Sequence, residues 1–117
     1  MAQTMITQLR PSDIPSWLES LPAESQPVVL DVREPFELQL ASIRPQGFTL
    51  VSIPMGLVPV RLAELDPQRP VACLCHHGGR SMQVAGFLSN RGFSSVANIA
   101  GGIHAWSAEV DPGVPTY

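Results

Sequence analysis

The chain has 117 residues, enough for one hydrophobic core but not two, because a separately folding core takes on the order of 100 residues; a single domain over 1–117 is expected. With 44% hydrophobic and 15% charged residues it reads as packed rather than disordered. Net charge is −3 and the seven Lys+Arg form no run, which excludes an extended basic face for nucleic acid or an anionic membrane.

Twelve prolines punctuate the chain into short elements. Thr7 to Arg10 suits a brief edge strand, and Pro11-Ser12-Asp13 then offers an N-cap for a helix to about Ser20. Val28 to Val32 is a continuous apolar run broken only by Asp31, as in a central strand covered on both faces. Glu34 to Leu38 has proline early and acids in its first turn, which suits the positive end of a short helix. Phe48 to Ile53 predicts a second strand, and Gly56 to Leu65 a helix started or interrupted by Pro59. Val71 to Cys75 predicts a third. Ser81 to Asn90 carries Met82, Val84, Ala85, Phe87 and Leu88 on a helical period, with Arg91-Gly92 as its C-cap. Phe93 to Ile99 predicts a last strand, and Gly101 onward a final short helix.

Strands alternating with helices predict an α/β domain with a mostly parallel sheet and helices on both faces. Ligand sites in such sheets lie beyond the C-terminal strand ends, where Cys75 falls. Met1 to Thr7 lacks the basic start and apolar core of a signal peptide, and no stretch approaches the about 20 apolar residues of a membrane span, so a cytoplasmic location is expected. Cys73 and Cys75 stand one residue apart, too close for a structural staple, and are expected as reduced thiols.

The chemistry concentrates in Cys75-His76-His77-Gly78-Gly79-Arg80-Ser81. A cysteine leaves a buried strand, two glycines let backbone N–H groups turn toward one point, and a helix start adds unpaired donors. Such a cradle favours a thiolate, and a persulfide anion gains in the same way. Cys73, mid-strand among Val71, Ala72 and Leu74, reads as a small core residue. His76 and His77 are expected to line the mouth of the cradle. No metal is expected there, because adjacent residues seldom converge on one ion. His104 reads as a lone surface residue, Trp17 and Trp106 as packing, and Gly101-Gly102 as turn chemistry.

Cys75-x-x-Gly78-x-Arg80-Ser81 resembles the active-site loop of the rhodanese family. Asp31-Val32-Arg33-Glu34-Pro35-Phe36-Glu37 resembles that family's D-V-R-E-x-x-E segment, Ile53-Pro54-Met55 its N-I-P segment, and Gly101-Gly102-Ile103-x-Ala105-Trp106 its G-G-x-x-x-W ending, all in the family's order. The chain departs from the pattern at Ser42 to Phe48, where the family often carries G-H-I-x-G-A. The resemblance implies a rhodanese-like three-layer domain and a sulfurtransferase with Cys75 as nucleophile. His76, His77, Gly78, Gly79, Arg80 and Ser81 would bind the substrate, Arg80 positioning an anionic donor such as thiosulfate. It implies Asp31 and Arg33 as a structural pair, no cofactor, and as partners a small-molecule sulfur donor and a thiol acceptor, with a sulfur-accepting protein as a further candidate. Members that transfer sulfur resemble C-x-x-x-x-R, the spacing here, whereas phosphatase and arsenate-reductase members carry one residue more. A non-enzymatic sulfur carrier or redox sensor is the alternative.

Overall fold

Residues 6–117 are described by a computed structural model; Met1–Met5, part of the segment read above for a signal peptide, lie outside the described residues. Five strands form one parallel sheet in the order β1 (Thr7–Leu9), β5 (Val96–Ile99), β4 (Val71–Leu74), β2 (Val28–Asp31), β3 (Thr49–Ser52). β2 and β4 lie side by side in the interior with every residue buried, which is why their sequences are nearly unbroken apolar runs.

Side chains alternate across this sheet. Val29, Ala72, Leu74 and Ile99 join Ile14 and Trp17 of α1 (Ile14–Ser20) and Ile103 and Trp106 of α4 (Gly102–Glu109) in one core. Val28, Leu30, Cys73 and Cys75 join Val84, Ala85 and Leu88 of α3 (Gly79–Ser89) in the other. The result is the expected three layers, and the alternation puts Cys75 on the α3 face. Cys73 is the core residue its neighbours predicted; burial, and then Cys75, push its thiol up to about 12.

The helix expected over Gly56 to Leu65 is absent. Two 3₁₀ turns, Met55–Leu57 and Leu62–Glu64, stand in its place. Pro59 cannot donate a helical bond, and the apolar residues make no single stripe: Val58 and Leu65 are buried while Val60 is 80% exposed. Two element starts also move by more than one residue. α3 begins at Gly79 rather than Ser81, and β5 at Val96 rather than Phe93, because the Phe93 amide closes α3 onto the Leu88 carbonyl (3.2 Å) through Gly92 at φ +88°.

β2 and β4 end level with each other, Asp31 opposite Leu74, with Val32 N–H donating to the Leu74 carbonyl at 2.9 Å. Arg33 and Cys75 therefore leave the sheet at the same end. α2 (Pro35–Leu40) follows at once, its start closed by Glu34 N–H donating to Glu37 Oε2 at 2.8 Å.

Candidate active site

Cys75 is the first residue past β4, and the turn from it into α3 closes around its own side chain. Gly78 sits at φ +108°, a left-handed conformation open to glycine, and its N–H donates to Cys75 Sγ at 3.1 Å. A Cβ at that position would also press on the Gly101 amide at 3.2 Å. The first backbone bond into α3 runs from Met82 N–H to the Gly78 carbonyl, so the Gly79, Arg80 and Ser81 amides find no backbone carbonyl among the described residues. These donors open α3 beside the sulfur.

Ser81 Oγ lies 3.3 Å from Sγ and donates to Asn98 Oδ1 at 2.6 Å. Asn98 Nδ2 in turn donates to the Gly78 carbonyl (3.3 Å) and Gln8 Oε1 (3.0 Å). A serine hydroxyl has one proton. When Cys75 is a thiol its S–H can donate to Ser81, and when it is a thiolate the hydroxyl can turn to the sulfur. The residue is 1% exposed, so a reacting sulfur must enter the loop to reach it.

A second contact holds the loop from above. Ile103 N–H donates to the Cys75 carbonyl (2.9 Å) and His104 N–H to the His76 carbonyl (3.1 Å). This docking requires Gly102, where a Cβ would stand 2.4 Å from both carbonyl oxygens. The glycine pair read from sequence as a turn thus also aims the loop.

The other side is ionic. Arg33, fully buried, forks onto Asp31 with Nη2 to Oδ2 at 2.8 Å and Nε to Oδ1 at 2.9 Å. It also donates to the carbonyls of Glu37 (3.2 Å) and Ala41 (2.9 Å) and to Tyr117 Oη (3.0 Å). Arg80 meets Glu37 through two bonds of 2.8 Å, and Tyr117 Oη–H donates to Glu37 Oε1 at 2.9 Å. The Arg80 fork, against the opposing effect of burial, holds the Glu37 carboxyl at about 2, and Glu37 raises Arg80. Arg80 closes the loop as expected, yet its fork faces a carboxylate of this chain.

His76 and His77 stand at the loop's outer side, with ring centroids 3.9 Å apart. His76 stacks on Tyr117 at 3.9 Å and 8°, and His104, expected alone, comes within 5.1 Å of His77. Burial, and then His77, lower the proton affinity of His76. The seven residues expected in the loop are together. Sequence reasoning missed Glu37, Asn98, Gln8 and Tyr117 as neighbours of the site. Glu37 closed the acidic motif, and Asn98 was a polar residue inside an apolar strand; Tyr117 gave no signal.

Among the described residues no helix is long and apolar enough to cross a membrane. Residues 14–109 match the family described as Rhodanese-like domain. The chain is 45% identical over 91 residues to the Rhodanese-like/PpiC domain-containing protein 12, chloroplastic, of Arabidopsis thaliana, which takes in 76% of this chain and 30% of that longer protein. It is 37% identical over 86 residues to a sulfurtransferase of Allochromatium vinosum, covering 73% of this chain and 77% of that one. Among solved structures, a rhodanese-related protein from Thermoplasma volcanium superposes with a TM-score of 0.74 at 30% identity, covering 95% of this chain and 99% of that one. With its motifs in order, its parallel sheet and these relatives, the chain belongs to the rhodanese-like sulfurtransferase family.

Proposed function

We propose that this protein moves a sulfane sulfur from thiosulfate, or from a persulfide donor, to a thiol or cyanide acceptor through a persulfide on Cys75. The observation that carries the reading is the Gly78 amide donating to Sγ at 3.1 Å at the start of α3, where three further amides have no backbone partner among the described residues. Donors already in place around a sulfur anion stabilise it without reorganisation.

The chemistry proceeds in two displacements. The Cys75 thiolate attacks the outer sulfur of thiosulfate; the new S–S bond forms as the old one breaks, and sulfite leaves with the electron pair. An acceptor nucleophile then attacks the outer sulfur of the persulfide, and Cys75 leaves as thiolate. His76, His77 and Gly79 line the approach. Arg80 attracts the anionic donor from the loop's rim, although Glu37 offsets much of its charge. A reducing compartment such as the cytoplasm keeps Cys75 available.

Thiocyanate formation from thiosulfate and cyanide, measured with wild type and Cys75→Ser, tests the reading: turnover falls to background in the variant, and equal rates would overturn it. A one-sulfur mass increment without turnover would identify a carrier instead. Arg80→Ala should raise the KM for thiosulfate by roughly tenfold, the scale of one charge-assisted hydrogen bond. Loading from an uncharged persulfide donor should change less, and equal effects on both donors would remove the role in attracting anions.

A further inference from the structure

Three imidazoles from two parts of the chain converge over the outer side of the Cys75 loop. His76 and His77 come from the loop and His104 from the first turns of α4. We propose that His76, His77 and His104 form a binding site for a divalent transition-metal ion of the zinc or copper class.

One ring nitrogen from each residue lies within 4.8 Å of the other two. A tetrahedral ion with nitrogen ligands at about 2.0–2.1 Å needs its donors about 3.3 Å apart. The gap is small, and His77 and His104 are exposed and free to turn their rings inward. The spacing between the loop and α4 is itself fixed, because His104 N–H is bonded to the His76 carbonyl and Gly102 permits that approach. His76 is the anchored member, its ring stacked on Tyr117.

A second observation points the same way. Among the described residues, His76 Nε2 is shielded from solvent and has no partner in hydrogen-bond geometry. A buried polar atom left unpaired costs free energy, and coordination would supply its partner. The donor chemistry selects the ion: three neutral imidazoles without a carboxylate suit zinc, copper or nickel and not magnesium or calcium. Three protein ligands leave the fourth position for water. Cys75 stands outside the cluster, its sulfur turned to Gly78 and Ser81 on the α3 face. The sequence concealed the site because His104 lies 27 residues beyond His77 along the chain.

The test uses the Cys75→Ser chain, so that the reactive thiol cannot bind the ion. Zn²⁺ titrated by calorimetry should bind one to one, and Co²⁺ should give the visible spectrum of a tetrahedral site with nitrogen and oxygen ligands. Adding His104→Ala should weaken Zn²⁺ binding by on the order of tenfold or more, no less than the loss of a residue that merely orients a ligand. Unchanged affinity in His104→Ala, or absence of one-to-one binding in Cys75→Ser, overturns the site. In the same Cys75→Ser chain, substoichiometric Cu²⁺ should broaden the ring resonances of these three histidines together, and broadening of other residues instead would also overturn it. Binding is read here without any sulfur transfer, so its failure leaves the persulfide reading standing.

Discussion

On its α3 side the Cys75 loop is held by neutral groups, Gly78, Ser81, Asn98 and Gln8, whereas on its α2 side it is held by charges, Asp31, Arg33, Glu37 and Arg80. Among the described residues only the neutral side bonds the sulfur. The charges on the other side pair off, two positive against two negative, so they brace the loop with their charges largely offset by one another. Stability and chemistry are thereby largely separated: removing Arg33 or Glu37 should chiefly cost folding free energy, removing Arg80 should also raise the KM for an anionic donor, and removing neutral members should cost turnover.

The strongest way to break this contrast is Arg33→Met. It removes the donors that reach Asp31, the Glu37 and Ala41 carbonyls and Tyr117, and leaves Asp31 buried without its cation. Stranding a buried charge costs about 3–5 kcal/mol, expected as a markedly lower urea midpoint. Turnover per folded molecule, measured at low temperature, should change by less than about tenfold. Wild-type stability in this variant would show that the buried fork is no brace.

Glu37 sharpens the same point through pH. Its carboxyl titrates at about 2 in the fold against an ordinary 4.5, so its contribution is fully present above pH 4.5 and fades as pH falls from there toward 2. Across that window wild type should lose on the order of 3 kcal/mol more than Glu37→Gln, read from urea unfolding at a series of pH values. Parallel acid profiles for the two proteins would mean that the Arg80 pairing adds nothing to folding.

The fold was legible because β2 and β4 are nearly uninterrupted apolar segments and α3 has a clean helical period, signals that depend only on neighbours along the chain. The Gly56 to Leu65 segment misled because its apolar residues serve different partners: Val58 and Leu65 enter the core while Val60 faces water. The loop was legible as a unit because its residues are consecutive. Its surroundings were not, since Asn98 reaches Ser81 across 17 positions, Glu37 reaches Arg80 across 43 and Tyr117 reaches Glu37 across 80. Gly102 is an instance of the same limit: the sequence announces a glycine, but only the packing of α4 on the loop carbonyls shows why no Cβ fits there.

The smallest expected effect lies on the neutral side, and it is the most diagnostic. Ser81→Ala deletes the hydroxyl 3.3 Å from Sγ and withdraws the donor from Asn98 Oδ1. Asn98 keeps its bonds to Gly78 and Gln8, so the cost to folding should stay near 1 kcal/mol. The anionic sulfur loses one of its donors, and a hydrogen bond to a charged group is worth about 1.5 kcal/mol, or roughly tenfold in the rate of loading from thiosulfate. Arg33→Met should therefore unfold more easily yet load sulfur faster per folded molecule than Ser81→Ala. If stopped-flow loading ranks the two the other way, the electrostatics of the sulfur are set by the ionic side, and the separation drawn here between brace and cradle does not hold.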